Sequence, residues 1–179
     1  MLQAEFAIVG GKVGHFDWVL LDQEGLQASE PARPELLPVQ SLESHSHLFD
    51  GNSKGVWLDE AIAPAMLEEN IQLKNRLLEC PVIAIQFNAF TDGRGFSVAR
   101  MLREQYGYAG QLLATGAFIR DQLSYLVRCG FDAFAPTAEQ PPTAELLAEW
   151  CGSMQDFTVF YQDAADGAGP LFRQRFKTN

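Results

Sequence analysis

Apolar and polar positions change their rhythm about a third of the way along the chain. Before residue 55 the apolar runs are short: Phe6-Ala-Ile-Val and Lys12-Val-Gly flank Gly10-Gly11, which predicts a β-hairpin, and residues 16–21 predict a further strand. Pro31, Pro34 and Pro38 stand among charged residues and predict a surface connection, with a short strand or helix between Leu36 and Leu42. From Gly55 the pattern alternates between strand and helix. Gly55-Val-Trp-Leu58 reads as a strand. Pro64 suits the first turn of a helix running to Leu78, because its missing N–H is not needed there.

Pro81-Val-Ile-Ala-Ile-Gln-Phe87 is almost continuously apolar, as a strand covered on both faces must be. It is followed by a helix over residues 96–105, a strand over 111–115, a helix N-capped by Asp121 and closed by Gly130, and a strand over 131–134. A last helix runs from Pro141 to Trp150, and Phe157-Thr-Val-Phe-Tyr161 reads as a returning strand. The residues between Cys80 and Pro136 thus form a parallel β-α-β-α-β unit with right-handed crossovers. The expected fold is α/β: an N-terminal β-hairpin followed by alternating β-α units on a parallel sheet, arranged like half of a β/α barrel, with an open three-layer α/β sheet as the alternative. One domain is expected over residues 1–179, made of a β-rich segment (1–54), a β/α core (55–150) and a C-terminal strand and tail (151–179).

Charge adds a contrast. The chain carries −10 with pI near 4.6, which argues against nucleic acid or an anionic membrane as general partners. Yet residues 88–131 hold five arginines against three acids, so this stretch is +2 and the remainder −12. Three widely spaced cysteines, Cys80, Cys129 and Cys151, form no Cys-x-x-Cys pair and read as buried, reduced thiols. The N-terminal residues lack the pattern of a signal peptide, and no apolar run reaches the length of a membrane span, so a cytoplasmic location is expected.

Ligands of parallel α/β sheets bind where loops leave the carboxyl ends of the strands. Three such loops follow from the pattern: residues 88–95, 115–120 and 135–140. The first carries Thr91-Asp92-Gly93-Arg94-Gly95. Gly93 and Gly95 allow close backbone approach, Arg94 offers a bidentate donor fork, and a helix starts immediately after. Arg94, Gly93, Gly95, Thr115, Arg120, Arg100 and Arg103 are therefore the candidate ligand-binding residues, for a small anion, and Asp92 the candidate for proton transfer. Each has a plainer reading: Asp-Gly is a common turn, Arg100 and Arg103 suit a solvated helix face, and Arg120 suits a surface ion pair. Val98 stands where a dinucleotide fingerprint needs its third glycine, and no phosphate-binding Gly-x-x-x-x-Gly-Lys loop exists. His45 and His47, with His15 and Asp50 as the nearest other donors, do not make a metal set and read as surface histidines. No cofactor is assigned by any motif.

Phe87-x-x-Phe90-x-Asp92-Gly93-Arg94-Gly95-x-Ser97-x-Ala99-Arg100-x-Leu102-Arg103, followed by Gly107-Tyr108-x-Gly110, Asp121-Gln122-Leu123 and Arg128-Cys129-Gly130-Phe131-Asp132-Ala133-Phe134, resembles the bacterial domain-of-unknown-function family 934. The likeness is dense from Val82 to Phe134 and looser at the Trp57 strand and from Tyr161 to Arg175. It departs at Leu113 and Ala117, which are apolar here. Relatives are commonly labelled oxidoreductases of sulfite reduction and lie beside the gene for the sulfite reductase haemoprotein. The resemblance implies an accessory component of assimilatory sulfite reduction, in which the Arg/Gly loop binds a small anion or docks the haemoprotein or another redox protein. The alternative it implies is an oxidoreductase or other enzyme on a small anionic metabolite; a half-barrel site can hold a flavin without a short fingerprint, so the cofactor stays open.

Overall fold

The structure is a computed structural model that describes residues 4–28, 34–44, 54–59, 64–137 and 142–154. Eight strands form one mixed sheet: β1 (Phe6–Val9), β2 (Lys12–His15), β3 (Val19–Leu20), β4 (Glu35–Pro38), β5 (Lys54–Leu58), β6 (Val82–Phe87), β7 (Gln111–Gly116) and β8 (Ala133–Pro136). Their spatial order is β2-β1-β8-β7-β6-β5-β4-β3. From β3 to β8 every neighbour is parallel and every step goes the same way across the sheet. The described helices all pack into one apolar cluster on one face, as right-handed crossovers in a single direction require, and the sheet curls as half of a β/α barrel. The open three-layer alternative would need helices on both faces.

The helices are α1 (Ser41–Ser44), α2 (Pro64–Glu69), α3 (Ile71–Glu79), α4 (Arg94–Arg100), α5 (Leu123–Arg128) and α6 (Ala144–Ser153). Two apolar clusters lie on opposite faces of the sheet. The larger joins Ile83, Ile85 and Phe87 of β6 to Leu77, Val98 and Leu126 of the helices. The smaller gathers Trp57, Ala84, Leu113, Ala133 and Ala135 on the other face, with Phe16, Trp18 and Leu20 packed against it. Alternate residues of β6 thus enter different clusters, which is why that strand is apolar throughout.

The predicted hairpin is β1-β2, with Gly10 and Gly11 both at positive φ (57° and 75°), the turn that matches strand twist. It joins the sheet at β8, antiparallel. Elsewhere the N-terminal third differs from its sequence pattern. Residues 16–21 contribute only the two-residue strand β3, parallel to β4; Phe16 and Trp18 pack on the inner face, and Phe16 N donates to Glu5 O at 3.0 Å. The expected surface connection around Pro34 and Pro38 contains β4, which is buried throughout, with α1 directly after it. Its Glu35 forms a buried ion pair with Lys54 of β5, across the register Glu35↔Lys54. The parallel sheet therefore begins before residue 55.

Two helices also differ. The expected helix 64–78 is broken into α2 and α3 at Asn70, whose side chain accepts from Leu73 N at 2.9 Å and caps the second piece. The helix at Asp121 opens instead with a 3₁₀ turn, Arg120–Gln122, so Asp121 is not its cap. The helix of residues 96–105 starts two residues earlier as α4 and continues as a π turn over Met101–Gln105. Thr143 caps α6 at Leu146 N, 3.3 Å. The strand expected at residues 157–161 and the histidine pair His45 and His47 lie outside the described residues.

Burial decides the state of two thiols. It pushes Cys80 from 9.0 up to about 12, helped by the charge of Glu79, and Cys129 up to about 11 against the opposing pull of Arg100 and Arg128. Both are protonated at neutral pH, where a thiol is a poor nucleophile. An unfolded chain would ionise them near pH 9 and the folded one would not. The neutral thiols' contribution to stability is complete below pH 9 and is lost as pH rises towards 11–12. The expected result is a urea midpoint that falls on going from pH 8 to about pH 10.5. A Cys80→Ala/Cys129→Ala chain should fall less over the same interval; an equal fall would assign the effect to other groups.

Candidate functional site

The loop between β6 and α4 lies where the sequence places it, at the carboxyl end of a central strand. Its internal geometry is closed. Asp92 Oδ1 accepts from the Arg94 backbone N–H (3.1 Å) and from Nε (3.0 Å), while Oδ2 accepts from Nη2 (3.0 Å). The guanidinium fork and the first backbone donor of α4 are thus both engaged by a carboxylate two residues away. The Asp92 side chain is only 10% exposed and Arg94 is 53% exposed, so the pair is anchored at its acidic end and open to water at its basic end. Beneath it, Asp59, Gln86, Asp92, Arg94 and Gly95 help line a recess of about 10 Å³. That is the room of a single water, far below the few hundred Å³ of a metabolite pocket.

The two loop glycines differ in kind. A Cβ at Gly93 would meet nothing within 4 Å. One at Gly95 would lie 2.7 Å from the Phe87 ring and 3.1 Å from Ile85. The close approach that Gly95 permits is therefore between α4 and β6, and its space is filled by Phe87.

The remaining candidates separate. Thr115 is buried on β7, in register with Gln86 of β6 and Ala135 of β8. Arg120 stands exposed on the 3₁₀ turn after β7, at the same end of the sheet. Arg100 pairs with Glu104 one turn on, at 2.9 Å, with both side chains about 40% exposed, a contact of small energetic weight. Arg103 is at the other end of the strands. It donates to the carbonyls of Tyr108 (2.5 Å), Gly110 (2.8 Å) and Gly130 (2.9 Å), and pairs with Asp132. Those partners precede β7 and β8, so its fork holds the strand entrances.

One residue at the site was not singled out by its chemistry in the sequence. Gln122 donates through Nε2 to Phe90 O at 2.8 Å and accepts through Oε1 from Ile119 N at 3.1 Å. A single amide ties the β6 loop to the β7 loop. The two backbone groups it joins belong to Phe90 (58% exposed) and Ile119 (46% exposed), two large apolar residues open to water. The signal available was the Asp121-Gln122-Leu123 triplet, whose amide sits where a helix's first turn can reach back to the preceding loop.

The described elements from β5 onwards carry the family's pattern. Residues 55–172 match the model for DUF934, bacterial protein of unknown function. The chain belongs to that family. The matched stretch takes in β5 to β8 and the whole Asp92–Arg94 loop, and leaves out the hairpin, β3 and β4. No curated protein matches the chain. Leu113 is buried in the inner cluster, and Ala117 donates its N–H to Phe87 O at 2.7 Å. No described helix is long and apolar enough to cross a membrane. No group of three metal-ligating side chains occurs among the described residues.

Proposed function

We propose that this chain is a non-catalytic accessory component of assimilatory sulfite reduction, and that it docks a redox protein, such as the sulfite reductase haemoprotein, through the loops at the carboxyl ends of β6 and β7. The observation that carries the reading is the Gln122 bridge, which ties the loop of Phe90 to the loop of Ile119, both large apolar residues open to water. Exposed apolar side chains fixed in place by a hydrogen-bonded frame are what a protein interface needs, because little conformational entropy is left to lose on docking. The closed Asp92–Arg94 pair and the water-sized recess below it favour a contact surface over a metabolite site.

The test is growth of a deletion strain on sulfate as sole sulfur source, with capture of the haemoprotein by the tagged chain. Wild type should restore growth and retain the haemoprotein. Phe90→Asp/Ile119→Asp should do neither, at unchanged melting temperature. Growth restored by that variant would sink the docking reading. Failure of Arg94→Ala alone, with the haemoprotein still captured, would favour an anion-dependent activity instead.

A further inference from the structure

We propose that the recess beneath the Asp92–Arg94 pair binds one fixed water, and that this water is the joint through which the ends of β5 and β6 steady the loop that carries Phe90. Asp59, which follows β5, Gln86 of β6 and Asp92 of the loop all border the same recess of about 10 Å³. The two nitrogen and oxygen ends of the Gln86 amide are treated unequally there. Nε2 donates to Asn88 Oδ1 at 3.1 Å, whereas Oε1 is buried and has no hydrogen-bond partner among the described residues. A buried amide oxygen left without a donor is costly, and such atoms in folded proteins are met by an ordered water or a ligand. The carboxylates of Asp59 and Asp92 cannot serve, since they too accept, and Arg94 gives its backbone N–H, Nε and Nη2 to Asp92. A water suits this lining because it donates twice, once to Gln86 Oε1 and once to a carboxylate, which has lone pairs for several donors. The volume admits one water and nothing larger.

The joint matters because of what the loop presents. Asp92 N donates to Ala89 O at 3.0 Å and closes a turn whose two central residues are Phe90 and Thr91. Gln122 Nε2 holds Phe90 O at 2.8 Å from the β7 side. The water adds support from the β5 and β6 side, so that Phe90 is carried by a loop already ordered before a partner arrives. The water site stands on the recess and the orphaned oxygen alone; its effect on association rests on the docking reading.

Two measurements keep the site and its effect apart. In a high-resolution crystal structure of the full chain, a water should lie about 2.7–3.0 Å from Gln86 Oε1 and from a carboxylate oxygen of Asp59 or Asp92. Oxygen-17 relaxation dispersion should count one long-lived water fewer in Gln86→Met than in wild type; an unchanged count overturns the assignment to Gln86. An empty recess, an amide turned so that Nε2 meets a carboxylate directly, or a peak with contacts of about 2.4 Å that follows the choice of metal salt also overturns it. The effect is read from affinity for the sulfite reductase haemoprotein, which Gln86→Met should lower roughly threefold or more at a melting temperature like that of wild type. Asn88→Ala removes the amide's other bond and should keep both water and affinity; an equal loss there would assign the effect to that bond. Full affinity in a Gln86→Met protein that has lost the water overturns the joint and leaves the docking reading standing. No capture of the haemoprotein by wild type overturns the docking reading, and the joint with it, and leaves the water site standing.

Discussion

Gly116→Ala is expected to destabilise the protein by about 3 kcal/mol, lowering the melting temperature by roughly 6–12 °C for a chain of this size. Gly116 ends β7 with φ at +98°, a conformation that side chains strain to adopt. A Cβ there would lie 2.2 Å from Phe87 O and 2.9 Å from Phe87 N, both backbone atoms of β6. Neither can swing aside as a side chain would, because Phe87 and Gly116 are paired in the sheet. The new methyl group would also break the bond from Ala117 N to Phe87 O (2.7 Å) that launches the β7 loop. Gly93→Ala is the matched control: its φ is −90° and no atom approaches within 4 Å, so it should be neutral or stabilising by a few tenths of a kcal/mol. Thermal denaturation of the two variants decides; a Gly116→Ala protein that melts with wild type would show that the strand ends can part freely.

The contrast between these glycines marks where the sequence was legible. The parallel unit from β6 to β8 could be read because continuous apolar runs bounded by glycine have few alternatives, and the structure places all three strands within two residues of expectation. The half-barrel was favoured over the open sheet, and the strand order agrees. What a loop glycine makes room for could not be read. Gly95 stands beside Arg94 as a ligand-approach residue would, but its neighbour is Phe87, eight positions back in the chain, and that distance closes only when α4 folds over β6. The break at Asn70 was hidden for a different reason. Leu67, Leu73 and Leu77 all enter the same core, so the apolar stripe runs on across a change of helix that only the cap reveals.

The site's position was legible in the sequence. Its internal geometry was not: Asp92 and Arg94, singled out for a ligand, are bound to each other, since residues two apart in a tight loop can close a bidentate pair. Among the arginines, sequence offered four similar candidates, Arg94, Arg100, Arg103 and Arg120. Folding sorts them by the end of the strand they reach, and that depends on backbone carbonyls, which no pattern of side chains displays.

Arg103 shows this most clearly, and its replacement carries the second large effect. Arg103→Met should cost about 3 kcal/mol, because it removes a donor fork whose side chain is only 16% exposed and leaves the carbonyls of Tyr108, Gly110 and Gly130 to find water. Asp132 would lose its cation while still accepting from Leu112 N at 3.0 Å, so the first bond into β7 is weakened as well. Gly130, at φ +99°, is shaped around the arginine stem: a Cβ there would lie 2.5 Å from Arg103 Cγ. Arg103→Lys should recover part of the loss, since a single ammonium keeps the charge but cannot span three carbonyls in the geometry of a planar fork. Urea denaturation gives the order wild type, lysine, methionine. Association with the partner should be unchanged in both variants wherever they remain folded, because the clamp sits at the strand entrances and the docking loops at their exits. A variant that folds as wild type yet loses the partner would move Arg103 from the frame of the sheet to its recognition surface.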